Sequence, residues 1–257
     1  MAEAFSLARR LRSGETVYSA WCAIPSALLT ETIAREGFPA AVLDVQHGLW
    51  DIASAIGAIG ALHHAGAAPL LRVPLNDMAL VSRALDFGAE GIIAPMINTA
   101  ADARAFAAAA KYPPLGERSW GPLRAMPLQN RTVTVEYLRE ANEGTLTLAM
   151  IETETALHNV DAIAATPGID ALFIGPYDLS TALSHGTKQD VDAPEVLRAI
   201  ERIREAAVTA GKIPGIYCST VERARAMTQR GFKFITVGSD MGLVREGVAA
   251  TLKALKQ

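Results

Sequence analysis

The sequence predicts an α/β fold consisting of one (β/α)8 TIM barrel, and three observations carry that expectation. Short apolar or β-branched runs alternate with Ala-rich helical patterns from one end of the chain to the other, the signature of a parallel sheet. Eight such runs are present, most of them continuously apolar, as strands covered on both faces are. The chain has 257 residues, and one barrel of this kind takes about 250. Residues 1–257 are therefore expected to form a single domain, with no tandem repeat, low-complexity tail or interdomain linker.

In order, the strands are TVYSAWCAI (16–24), AAVLDVQH (40–47), APLLRVP (68–74), EGIIAPM (90–96), LTLAMIE (146–152), ALFIGP (171–176), IPGIYCS (213–219) and KFITVGS (233–239). The helices between them carry their own punctuation. Asn76 is placed to cap a helix from Met78 to Phe87, and Ser219 or Thr220 one from Val221 to Gln229. Gly37, Gly88, Gly211 and Gly231 fall where helices must stop. The stretch Lys111 to Arg131, rich in Pro, Gly and Arg, exceeds an ordinary connection. It is either a functional or subunit-contact loop or a plain surface excursion. In the last segment, 240–256, Met241, Leu243, Val244, Val248, Leu252 and Leu255 form the apolar side of a helix. That side suits packing on its own barrel or on another subunit.

Composition narrows the function. With 24 Lys and Arg against 27 Asp and Glu, the formal charge is −3, which leaves no basic footprint for nucleic acid. A chain that is 50% hydrophobic and 20% charged is globular rather than disordered. Two cysteines, Cys22 and Cys218, make neither a disulfide framework nor a four-cysteine metal site, which fits a reducing, cytoplasmic setting. The N-terminal MAEAFSLARRLRSGE has no uninterrupted apolar run, and no later stretch approaches the roughly 20 apolar residues of a membrane helix. No membrane partner is expected.

In such barrels the reactive groups project from the C-terminal ends of the strands. Strand two ends in Asp44, Gln46 and His47, strand three in Arg72, strand five in Glu152, and strand six runs into Gly175-Pro176-Tyr177-Asp178. Glu152 and Asp178 would make a hard oxygen site for Mg²⁺ or Mn²⁺ with positions left for water and substrate; strand-end acids also serve as helix caps. Arg72 offers a planar fork for a carboxylate or phosphate, or an ordinary salt bridge across the barrel mouth. His47, an imidazole at a strand end, can move a proton, whereas His63, His64, His158 and His185 fall on helices or loops. No lysine falls in the mouth, so a Schiff-base mechanism is not expected. There is no nucleophile elbow, no Walker loop and no dinucleotide fingerprint, which removes serine hydrolysis and nucleotide cofactors. Cys22 is placed as a small buried hydrophobe rather than a nucleophile.

Six ordered segments, LDVQHG, LRVPLND, LDFGAEGIIAPMINTAADA, KYPPLGERSWGP, MIET and FIGPYDLS, together resemble the HpcH/HpaI aldolases. These are metal-dependent class II pyruvate aldolases acting on 4-hydroxy-2-oxo acids, with barrels of the phosphoenolpyruvate/pyruvate-domain type. The resemblance implies a divalent metal ion (Mg, Mn or Co) on Glu152 and Asp178, and Arg72 steadying a pyruvate enolate. It further implies His47 as the base and Asp86 as its support. Backbone amides around Tyr177 and Asp178 would hold the pyruvate carboxylate, and Trp21 would line the aldehyde pocket. It implies small-molecule partners, a 2-oxo acid and an aldehyde, and a homohexamer joined partly through the terminal helix and the long loop. Two departures bear on the substrate. Met150 stands where the family commonly has Gln two residues before the metal-binding Glu, and Gly-Pro-Tyr-Asp replaces Gly-Pro-Ala-Asp. Pyruvate or hydroxypyruvate is the expected nucleophile. The same enolate site would also suit oxaloacetate decarboxylation or an acyl-CoA lyase, and a noncatalytic 2-oxo-acid-binding barrel is the alternative from another class.

Overall fold

The computed structural model describes residues 5–132 and 135–256. Its eight strands close into a parallel barrel in chain order: β1 (Val17–Cys22), β2 (Ala40–Asp44), β3 (Ala68–Arg72), β4 (Gly91–Ala94), β5 (Leu146–Ile151), β6 (Ala171–Ile174), β7 (Ile213–Cys218) and β8 (Phe234–Val237), with β8 paired back to β1. Helix α1 (Ser6–Arg12) precedes the barrel, and α2 (Ala27–Arg35), α3 (Ile52–Ala65) and α4 (Met78–Phe87) each return the chain to the next strand. The β4 to β5 connection carries α5 (Ala100–Ala110), α6 (Ala125–Leu128) and α7 (Val135–Gly144). Between β5 and β6 lie α8 (Glu154–His158) and α9 (Val160–Ala164), and between β6 and β7 lie α10 (Pro176–Leu183) and α11 (Pro194–Thr209). Helix α12 (Val221–Gln229) joins β7 to β8, and α13 (Asp240–Leu255) follows β8. The Lys111 to Arg131 stretch, expected as one long loop, contains α6.

Helix boundaries follow local chemistry, with one correction. Thr220 caps α12 by accepting from the Arg223 amide at 3.2 Å, and Gly37, Gly88, Gly211 and Gly231 all adopt positive φ where their helices end. Asn76 does not cap α4. It sits at φ 59, a left-handed turn that asparagine tolerates, and Asp77 accepts from the Leu80 amide at 2.9 Å instead.

Two apolar shells result. Outward-facing strand residues pack against the helices, while an inner cluster fills the barrel with every second residue of each strand, such as Ala40 and Val42, Ala68 and Leu70, Leu146 and Leu148. Phe173 occupies the interior, stacked on Trp21 at 6.2 Å and tilted against Phe234 at 6.1 Å. Room for it comes from Gly215, where a Cβ would lie 2.9 Å from the Phe173 ring. Leu7, Ala8 and Leu11 of α1 join this inner cluster, so α1 closes the N-terminal end of the barrel. Beneath it the Phe5 amide donates to Glu90 Oε1 at 3.3 Å, Glu90 Oε2 has no partner among the described residues, and burial pushes this carboxyl up to about 7.

Lys111 is also buried at that end, donating to the carbonyls of Asn142 and Thr145 and to Asp170. The opposite, C-terminal end is open. Helix α13 buries only Asp240, whose carboxylate accepts from the amides of Ala23 and Ile24. Its apolar residues Met241, Leu243, Val244, Val248, Leu252 and Leu255 are exposed. Of the two packings open to this helix from its sequence, the fold of the single chain does not use the first. Among the described residues no helix is long and apolar enough to cross a membrane.

Candidate active site

Side-chain alternation gathers the polar strand ends at one mouth. Five of the eight strands contribute their last inward position: Trp21 from β1, Asp44 from β2, Arg72 from β3, Glu152 just past β5, and Tyr217 from β7. In the β2 to β3 register Asp44 stands directly opposite Arg72. The result is a bidentate pair, with Arg72 Nε 2.8 Å from Asp44 Oδ1 and Nη2 2.7 Å from Oδ2. Both residues are buried. Burial alone would raise the Asp44 carboxyl, but the hydrogen bonds and charge of Arg72 outweigh it and hold Asp44 below the usual carboxylate range. Asp44 also accepts from the Trp21 indole at 3.3 Å and from the amides of Gln46 and His47 at 3.2 Å. One carboxylate thus fixes the arginine, the tryptophan and the turn that carries His47. That turn needs Gly48, where a Cβ would fall 2.2 Å from the Asp44 carbonyl oxygen. The guanidinium of Arg72 also lies 4.8 Å from the Trp21 ring centroid.

Glu152 is 3% exposed. Its Oε1 accepts from the amide of Met96, at 2.9 Å, and Met96 is itself held at φ 54. Burial pushes the Glu152 carboxyl up to about 7, with the charge of Asp178 and a side-chain hydrogen bond to it adding to the rise. The buried carboxylate of Glu152 and the exposed one of Asp178 are therefore near enough to feel each other's charge. Gly175 permits the approach, since a Cβ there would lie 2.5 Å from Glu152 Oε2 and 2.5 Å from the Met150 methyl. Pro176 starts α10 and the first intrahelical bond runs from the Leu179 amide to the Gly175 carbonyl. The amides of Tyr177 and Asp178 consequently have no intrahelical partner.

These groups enclose a cavity of about 230 Å³ whose lining includes Trp21, His47, Arg72, Tyr177, Asp178 and Tyr217. Of the residues expected at the site, His47 is exposed at its rim, and Trp21, Arg72, Glu152, Tyr177 and Asp178 come together with it. Asp86 does not. It lies in the last turn of α4, is not among the residues that line the cavity, and pairs with Arg118 at 2.6 Å. Two participants stand out less in the sequence. It marks Asp44 as a strand end but not as the residue that holds Arg72, although an acid and an arginine closing two successive five-residue strands signal such a pair. Tyr217, embedded in the apolar run IPGIYCS, carries no such signal. Cys22 is fully buried, and burial pushes its thiol up to about 12, which suits the apolar role expected for it.

A 39% identical relative, covering 90% of this chain and 90% of its own length, is the hydroxypyruvate/pyruvate aldolase of Rhizorhabdus wittichii. The 5-keto-4-deoxy-D-glucarate aldolase of Klebsiella pneumoniae is 35% identical, over 92% of this chain and 91% of its own. A crystal structure of an HpcH/HpaI aldolase/citrate lyase family protein from Burkholderia cenocepacia superposes with a TM-score of 0.89 at 31% identity, covering 98% of this chain and 99% of that one. The model of the HpcH/HpaI aldolase/citrate lyase family matches residues 18–247, and the chain belongs to that family.

Proposed function

We propose that this protein is a class II pyruvate aldolase, a carbon-carbon lyase that reversibly cleaves a 4-hydroxy-2-oxo acid into pyruvate, or hydroxypyruvate, and an aldehyde. The observation that carries this is the convergence, at one small cavity, of Asp178 with the buried Glu152 near it, an arginine fork held by a third carboxylate, and two amides at a helix start that have no intrahelical partner. Relatives named as aldolases support the same activity.

The donor set fits a divalent cation. The buried carboxylate of Glu152, pushed up to about 7 with the charge of the exposed Asp178 adding to the rise, is relieved by a positive ion shared with Asp178, and hard oxygen ligands suit Mg²⁺, Mn²⁺ or Co²⁺. Glu152 and Asp178 would hold it. Among the described residues no group of three or more His, Cys, Asp or Glu is placed to hold a metal, so water and substrate oxygens would complete the shell. When bound, such an ion supplies Lewis-acid stabilisation of developing enolate charge.

The residues of the chain account for the remaining steps. The amides of Tyr177 and Asp178 receive the substrate carboxylate at the positive end of α10. Arg72 donates to the 2-oxo oxygen as it gains enolate charge, and Asp44 keeps it aimed there without reorganisation. His47 takes the proton from the C4 hydroxyl; the C3–C4 bond breaks, its electron pair passes into the enolate, and an aldehyde leaves. Protonation at C3 completes pyruvate, and synthesis is the reverse. Lysine plays no part in this scheme, since none lines the cavity and the buried Lys111 is at the other end. A 230 Å³ cavity, below the roughly 300–1,000 Å³ of sites for drug-sized ligands, favours an aldol over a CoA thioester.

Two further features point to a homo-oligomer, for which the family resemblance implies a hexamer. The exposed apolar side of α13 adjoins an apolar cavity of about 850 Å³ between α2 and α12, lined in part by Ile33, Phe38, Val221 and Leu243, and a second copy would cover such surfaces. Asp86, on the outside of its own barrel, would support a His47 only across a subunit boundary. Solution mass by light scattering tests the assembly. Activity is tested with pyruvate in D₂O and with an aldol panel: EDTA should abolish methyl proton exchange and cleavage, added Mn²⁺ should restore both, and borohydride should trap no adduct. His47→Ala should slow the exchange. Activity that persists after rigorous chelation overturns the metal assignment, and unchanged exchange removes His47 as the base. Oxaloacetate decarboxylation without any aldol cleavage would favour that alternative, and pyruvate binding without exchange would favour a binding protein.

A further inference from the structure

We propose that the aldehyde half of the substrate is compact, uncharged and apolar, an aryl or branched-alkyl aldehyde, selected by an aromatic wall of Trp21, Tyr217 and Tyr177. The proposal rests on the pyruvate aldolase assignment and names the substrate class of that site.

Three rings from three elements form one continuous surface above the enolate groups. Trp21 of β1 and Tyr217 of β7 meet edge to face, with centroids 5.4 Å apart and planes at 75°, and Tyr177 at the start of α10 leans on Tyr217 at 6.2 Å and 60°. Trp21 is fixed from below by its stack on Phe173 and from the side by Asp44, which anchors that end of the wall. Below the rings lies Met150, 3% exposed, a polarisable thioether that fits against aromatic edges.

Charge and hydrogen bonding argue the same way. Among the residues lining the cavity, Arg72 is the single Lys or Arg, and its Nε and Nη2 are both committed to Asp44. With Arg72 serving the 2-oxo oxygen, a carboxylate at the far end of an aldehyde would find no second guanidinium or ammonium among the lining residues of this chain and would meet Asp178. The Trp21 indole N–H is likewise spent on Asp44, which leaves polyol hydroxyls without that donor. The remaining handles are His47, which serves the oxygen of the reacting aldehyde carbon, and the phenolic hydroxyls of Tyr177 and Tyr217. A cavity of about 230 Å³ sets the size: a three-carbon acid and one compact partner.

The test measures kcat/KM of the Mn²⁺-loaded protein with pyruvate and each of benzaldehyde, 3-methylbutanal, succinic semialdehyde and glyceraldehyde, alongside pyruvate methyl exchange without aldehyde. Two aromatic contacts of ordinary strength amount to roughly tenfold, so benzaldehyde should exceed succinic semialdehyde by at least about that factor. Tyr217→Ala, which removes one of the two contacts, should lower the ratio about threefold, and Tyr217→Phe should keep it. Because each ratio is taken within one variant, a general loss of active protein cancels. Parity or a preference for the anionic or polyol aldehyde in the parent protein overturns the proposal. So does a ratio unchanged by Tyr217→Ala, or one lowered as far in Tyr217→Phe, which would assign selection to the hydroxyl. Exchange without aryl preference refutes this inference alone, whereas absence of exchange refutes the aldolase assignment and this inference with it.

Discussion

Glu90 is the group whose replacement has the most calculable effect. It is buried under α1 with one carboxyl oxygen bonded to the Phe5 amide and the other unpartnered among the described residues. Burial raises its ionisation from an ordinary 4.5 to about 7, against smaller opposing effects of that amide and of Arg9. A carboxyl with a raised native pKa holds its proton more tightly in the folded than in the unfolded chain. Its contribution to stability is therefore fully present below about pH 4.5, falls as pH rises, and is lost above about pH 7. At about 1.4 kcal/mol per pH unit, the interval corresponds to about 3 kcal/mol. Glu90→Gln removes the titration while keeping shape and an acceptor for Phe5. Urea unfolding of both proteins at fixed concentration from pH 4.5 to 8 should show the variant gaining on the parent by about 3 kcal/mol, mostly between pH 5 and 7. A difference that stays flat across that range refutes the assignment of Glu90 as a neutral buried acid.

Three substitutions at the mouth have separable outcomes. Arg72→Ala should lower kcat for aldol cleavage by about 10²–10³-fold, the usual effect of losing one preorganised donor to an oxyanion; an effect confined to KM would show that Arg72 binds but does not stabilise the enolate. Asp44→Ala leaves the buried guanidinium unpaired and should cost about 3–5 kcal/mol in urea unfolding as well as lowering kcat; unaltered stability would contradict the bidentate pair. Gly175→Ala forces Glu152 and Met150 aside and should weaken Mn²⁺ binding by about 10–100-fold in calorimetric titration, and unchanged affinity would remove Glu152 from the metal site.

The barrel was legible because its signal is redundant: eight apolar runs, each bounded by turn chemistry, with helices ended by glycine. The mouth was legible for the same reason, since a polar residue closing an apolar run has few roles. Tertiary pairing was harder to see. Asp44 was visible, but its hold on Arg72 depends on strand register, which aligns the ends of β2 and β3. Tyr217 is surrounded by apolar neighbours and looks like core until alternation is traced to the end of β7. At α4 the cap moved by one residue because Asn76 and Asp77 are both capable, and the turn decided between them. For α13 the apolar side could be read but not what it faces, because that depends on surfaces beyond one folded chain.

The alternation of side chains along each strand also sets where this protein tolerates a change in length. Deleting one residue within β3 would turn Arg72 out into the helix layer and present a leucine or valine to the cavity. The same deletion in the turns at the far end of the barrel, such as the one at Gly66, would leave the cavity's order intact. Gene-length variation should therefore be absorbed in connections, where three already hold several helices, while the distance in residues from each strand's start to its final inward side chain acts as a fixed ruler.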